Sequence, residues 1–90
     1  MNKPSLIALH KNLCEIALKI ALQRGKEYAT DEDELRTFKT AAATYGCKPQ
    51  DIARMQLCLK IARMQEGIKQ DTLLDIINYA VYLEALREVG

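Results

Sequence analysis

Lys60 and Arg63 follow Gln56 at steps of four and three residues, so the three share one seam of a helix. Arginine's fork and lysine's point charge are the usual protein partners of a phosphate, which makes this seam a candidate anion site. The plainer alternative is two long basic side chains with stems on apolar neighbours and heads in water or paired with Asp or Glu. A second cluster, Asp71, Asp75, Asn78 and Tyr82, falls on one stripe of a later helix. Carboxylates four residues apart can converge on a divalent cation such as Mg2+, and an amide beside them suits ribose or base. Otherwise Asp71 is a helix cap and the remainder faces solvent. Like charges at that spacing repel, and no lysine on the stripe offsets them. Lys26 and Tyr28 precede an acidic helix start, where a lysine can neutralise a phosphate and a tyrosine can stack on a base. An ordinary solvated loop, its tyrosine packed on the bundle, fits them too. His10 sits within the apolar arc of the first helix and reads as a core or interface residue rather than a catalyst.

The elements that must position these groups are helices. Glycine at 25, 46, 67 and 90 punctuates the chain, and glycine just past a helical run is the common left-handed stop. Four helices are expected between them, over residues 4–24, 31–44, 49–66 and 71–88. Pro4 and Pro49 suit first helical turns, and Thr30 or Asp31 with Asp33 or Glu34 resembles a capping box. Leu6, Leu9, Leu13, Ile16, Ala17, Ile20 and Ala21 form the stripe of the first helix. Leu35, Phe38, Ala41, Ala42 and Tyr45 form a narrower one on the second, as on a surface helix. The third has two apolar faces, Ile52, Met55, Leu59 and Ala62 on one, Leu57, Ile61 and Met64 on the other, and so is expected at the centre of a bundle. The fourth carries an apolar arc of Leu73, Ile76, Ile77, Ala80 and Leu83 opposite its polar stripe.

Ninety residues with 49% hydrophobic content, two prolines and no tryptophan describe one helical domain. A chain this short buries a limited fraction of its surface, which makes self-association an expectation from length alone. Thirteen basic against twelve acidic residues leave a net charge of +1, which argues against a nucleic-acid polymer as partner. Cys14, Cys47 and Cys58 are odd in number and form no Cys-x-x-Cys pair, against a disulfide framework or zinc site and in favour of a reducing cytoplasm. No signal peptide, membrane span, Walker loop, catalytic triad or dinucleotide fingerprint is present, so no membrane partner is expected.

Two stretches resemble a known group. Arg24-Gly25-Lys26-Glu27-Tyr28-Ala29, with the acidic turn and Phe38-Lys39 after it, is the first. Lys60-Ile61-Ala62-Arg63 followed by Asp71-Thr72-Leu73-Leu74-Asp75-Ile76-Ile77-Asn78-Tyr79-Ala80 is the second. Together they resemble the small helical phage and bacterial proteins of the nucleotide-modification-associated type, over about residues 24 to 83. More distantly the pattern is similar to the all-α nucleoside triphosphate pyrophosphohydrolases, the MazG-like and dimeric dUTPase-like superfamily. Those enzymes hold magnesium through Glu-Glu-x-x-Glu on one helix and Glu-x-x-Asp on the next. This chain has no Glu-Glu-x-x-Glu, and Thr72-Leu73-Leu74-Asp75 stands in the second place. The resemblance therefore carries over Asp75 alone as a metal ligand.

The expectation is an all-α, four-helix bundle-like single domain over residues 1–90, assembled as a homo-oligomer. Lys26, Tyr28, Lys60, Arg63, Asp71, Asp75 and Asn78 are expected to bind a phosphate-bearing nucleotide or cyclic nucleotide, with Mg2+ at Asp75. No catalytic residue is assigned. By its resemblance such a protein is expected to act in phage nucleotide metabolism; its small size, expected self-association and lack of catalytic motifs point instead to sequestering a nucleotide second messenger of host defence, in either case in the host cytosol. A reduced magnesium-dependent pyrophosphohydrolase, with Asp31, Asp33 or Glu34 supplying carboxylates, and a structural helical adaptor are the two alternatives.

Overall fold

The computed structural model describes residues 5–27 and 31–89, with side chains for all of these except 25–27, 31–34, 88 and 89. Four α-helices follow one another, α1 (Leu6–Glu27), α2 (Asp31–Tyr45), α3 (Pro49–Arg63) and α4 (Gln70–Val89), and no strand occurs among the described residues. A 3-10 turn, Met64–Glu66, extends α3 to the end expected from Gly67.

Capping chemistry accounts for several of the helix ends. Ser5 opens α1, its Oγ accepting the Ala8 amide at 3.1 Å and its carbonyl the Leu9 amide at 3.0 Å, which satisfies donors that a helix start leaves unpaired. At the other end α1 runs through Gly25 to Glu27 and does not stop at Arg24. One glycine inside a helix costs only about 1 kcal/mol, too little to end a helix whose neighbours favour continuing. Lys26 is consequently in the last turn of α1 rather than in a loop. Ahead of α3, the Asp51 carboxylate accepts the Lys48 amide at 3.1 Å. Asp71, expected as the cap of α4, lies inside its first turn instead, where its charge still suits the helix dipole.

Gly46 ends α2 at φ +75°, and the amides of Gly46 and Cys47 both donate to the Ala42 carbonyl, at 2.8 and 3.0 Å. A methyl group added at Gly46 meets no atom within 4 Å, so only the left-handed backbone opposes a side chain there. Gly46→Ala is expected to destabilise the fold by roughly 1 kcal/mol, read as a shift in the urea midpoint at unchanged slope.

The core joins α2, α3 and α4. Phe38, Ala42, Ile52, Ala53 and Leu86 form its buried cluster, with Leu35, Tyr79, Tyr82 and Leu83 against it. Alanines at the contact points let the helix axes approach closely, and the Phe38 ring meets Tyr79 and Tyr82 at 6.2 and 5.4 Å between centroids. The Gln50 amide donates to the Leu86 carbonyl at 3.2 Å and Lys60 reaches Asp75, so α3 and α4 run antiparallel. α3 packs on both α2 and α4, close to its expected central place, while α1 packs on α4 with Ala17 buried.

Two face assignments differ from expectation. On α3, Met55, Leu59 and Ile61 are exposed, so one chain covers neither of its apolar faces completely. On α4 the polar stripe is turned inward: Asn78 is buried and Asp75 and Tyr82 are half-buried, leaving only Asp71 of the stripe exposed. A helix apolar on both sides is free to present either one to its neighbours, and here aromatic packing by Tyr79 and Tyr82 brings the stripe in with them.

Candidate functional site

Turning that stripe inward brings three helices to one carboxylate. Lys60 Nζ of α3 lies 3.1 Å from Asp75 Oδ2, and Arg24 Nη2 of α1 lies 3.7 Å from Asp75 Oδ1. The Lys60 and Asp75 side chains keep only 19% and 25% of their exposure, and Arg24 keeps 46%. Two cations share one anion, so the cluster has a formal surplus of one positive charge in a partly desolvated seam. That surplus is stronger there than on open surface because water screens it less.

One turn along α4 from Asp75 is Asn78, 6% exposed, whose Nδ2 is buried without a hydrogen-bond partner. A buried amide donor left unpaired costs about 1–3 kcal/mol, a cost that no contact among the described residues offsets at Asn78. Arg63, one turn from Lys60, is exposed and has no ion pair among the described residues. The structure thus brings Lys60, Asp75 and Asn78 together, with Arg63 one turn from Lys60 on α3. It places Asp71 at the exposed start of α4. The Lys26 side chain and all of Tyr28 lie outside the described residues. His10 is exposed, its Nδ1 4.0 Å from Cys14 Sγ, and is not part of the core of the single chain.

Arg24 is the member that periodicity missed. Its only signal in the sequence is its place at the head of the Arg24-Gly25-Lys26 stretch, at the expected last residue of the first helix.

Among the described residues, no protein-held magnesium site is assembled. Each oxygen of Asp75 faces a cation, and no group of three or more His, Cys, Asp or Glu converges among the described residues. The carboxylates of Asp31, Asp33 and Glu34 lie outside the described side chains. Elsewhere on α4, Arg87 donates two hydrogen bonds to Glu84, at 2.9 and 2.6 Å, which hold the Glu84 carboxyl below its usual range.

The four helices and this polar seam define a small all-α protein with a partly buried ion-pair cluster. No family model and no solved structure matches the chain. It is similar to the Gene 55 protein of Mycobacterium phage L5, 37% identical over 70 residues, a match covering 72% of this chain and 45% of that protein. The chain therefore spans less than half the length of the curated relative it matches. No described helix is long and apolar enough to cross a membrane.

Proposed function

We propose that this protein binds a phosphate-bearing nucleotide at the seam between α1, α3 and α4. The observation that supports it is the unpaired, buried Asn78 amide beside a carboxylate contacted by two cations. Lys60 and Arg63 take the phosphoryl oxygens. Asp75 positions Lys60 and Arg24, and Asn78 offers its free donor to ribose or base. Similarity to a mycobacteriophage protein supports a setting in the infected cell, in nucleotide metabolism or in sequestering a nucleotide second messenger. Binding without cleavage is the reading taken, because water activation by metal ions needs more carboxylate ligands than converge among the described residues.

Calorimetric titration with nucleoside triphosphates and cyclic nucleotides tests this. At least one is expected to release heat and raise the melting temperature. Arg63→Ala, at an exposed position, should weaken that binding about tenfold or more, the usual value of a charge-assisted hydrogen bond, with helicity unchanged. Asn78→Leu should stabilise the unliganded chain by about 1 kcal/mol, since it removes an unpaired buried amide, while reducing affinity. A silent titration across the whole panel, or binding indifferent to both substitutions, overturns the proposal.

A further inference from the structure

The first turns of α1 are helical yet exposed at every position from residue 5 to residue 12. Leu6 and Ile7 keep 84% and 83% of their surface and Leu9 46%. Helical turns that pack against nothing are marginal in water, and apolar side chains displayed on them make them more so. Along the same helix Leu6, Leu9, Leu13, Ile16 and Ile20 follow at steps of three, four, three and four, the alternation of a two-helix seam. Beside this row Ala17 is buried, α1 packing on α4, while Leu13, Ile16 and Ile20 are half-buried, so α4 covers one flank of the row only. The open flank forms a shallow groove of about 380 Å³ lined by Ile16, Lys19, Ile20, Gln23 and Arg24.

We propose that a second copy of this chain fills the groove, its α1 lying antiparallel along the Leu6, Leu9, Leu13, Ile16 and Ile20 row about a two-fold axis. Area supports a copy as occupant. The chain presents 7306 Å² of accessible surface, whereas a compact monomer of its mass presents roughly 5,300 Å², and the surplus exceeds the ~800 Å² that each partner of a stable pair buries. The row is also complementary to itself: an antiparallel register that sets Leu13 against the partner's Ile16 sets Leu9 against the partner's Ile20. Charge selects the direction. In a parallel pair, flank positions five residues apart become neighbours, which would put Lys19 beside the partner's Arg24. An antiparallel pair brings like flanks together, which puts Lys19 beside the partner's Asn12, without two fixed like charges. A two-fold pairing of this kind is self-limiting, each copy using the same patch.

Sedimentation velocity on the full chain reads this directly. The expected result is a mass of two chains, or a whole multiple of it, falling to one chain, with at least tenfold weaker association, in Leu6→Lys/Leu9→Lys. Both positions are exposed, so circular dichroism should still show α2 to α4 folded, with helicity lost from the start of α1. Leu18→Lys, exposed on the opposite flank of α1, should leave the assembly intact. A monomeric wild type or an odd-numbered assembly overturns the proposal. So does an assembly that survives Leu6→Lys/Leu9→Lys, one that dissociates with Leu18→Lys, or a monomer whose α1 instead takes up a helix from another protein.

Discussion

Phe38→Ala is expected to destabilise the folded chain by about 3–5 kcal/mol, the usual cost of removing a buried aromatic ring. Phe38 keeps 8% of its surface and is the one large side chain by which α2 enters the buried cluster with α3 and α4. Its loss removes apolar burial and the ring contacts with Tyr79 and Tyr82 together, and helical neighbours anchored at Ala42 and Ala53 have little freedom to collapse into the space. A domain of this length is stable by roughly 5–13 kcal/mol, so the change takes a large share of the total. Urea unfolding followed by tyrosine fluorescence measures it, the chain having four tyrosines and no tryptophan. Tyr45, on the same face of α2 but 81% exposed, is the internal control: Tyr45→Ala should move stability by less than about 0.5 kcal/mol. Equal effects at the two positions would show that α2 does not dock through Phe38.

Asp75→Ala is expected to cost about 2 kcal/mol. Breaking a fully buried pair costs about 3–5 kcal/mol and an exposed one less than about 1, and side-chain exposures of 19% and 25% place the Lys60–Asp75 pair between them. The loss comes mainly from what is left behind, a lysine in a half-buried seam whose nearest carboxylate is gone, with Arg24 adding a second uncompensated charge. Lys60→Met in the Asp75→Ala background should recover about half of the loss, because it takes away the stranded ammonium while keeping the stem that packs on α4. Four urea midpoints complete the cycle. Strict additivity of the two substitutions would mean that the residues do not interact, and the seam would lose its organising contact.

The sequence by itself determined the helices and the residue types on each face. Glycine and proline set the breaks at Gly46, Pro49 and Gly67, and the spacing of apolar residues defined every stripe, because both are local properties of a 3.6-residue repeat. It also singled out Lys60, Arg63, Asp75 and Asn78 one by one. Only the tertiary structure decided that α1 continues through Gly25, that Arg24 thereby reaches Asp75, and that α4 turns its polar stripe inward. Periodicity says which side chains share a face. It does not say which of two comparably apolar faces a helix will bury, since that choice depends on rings and cations contributed by partners 15 to 51 residues away in the chain.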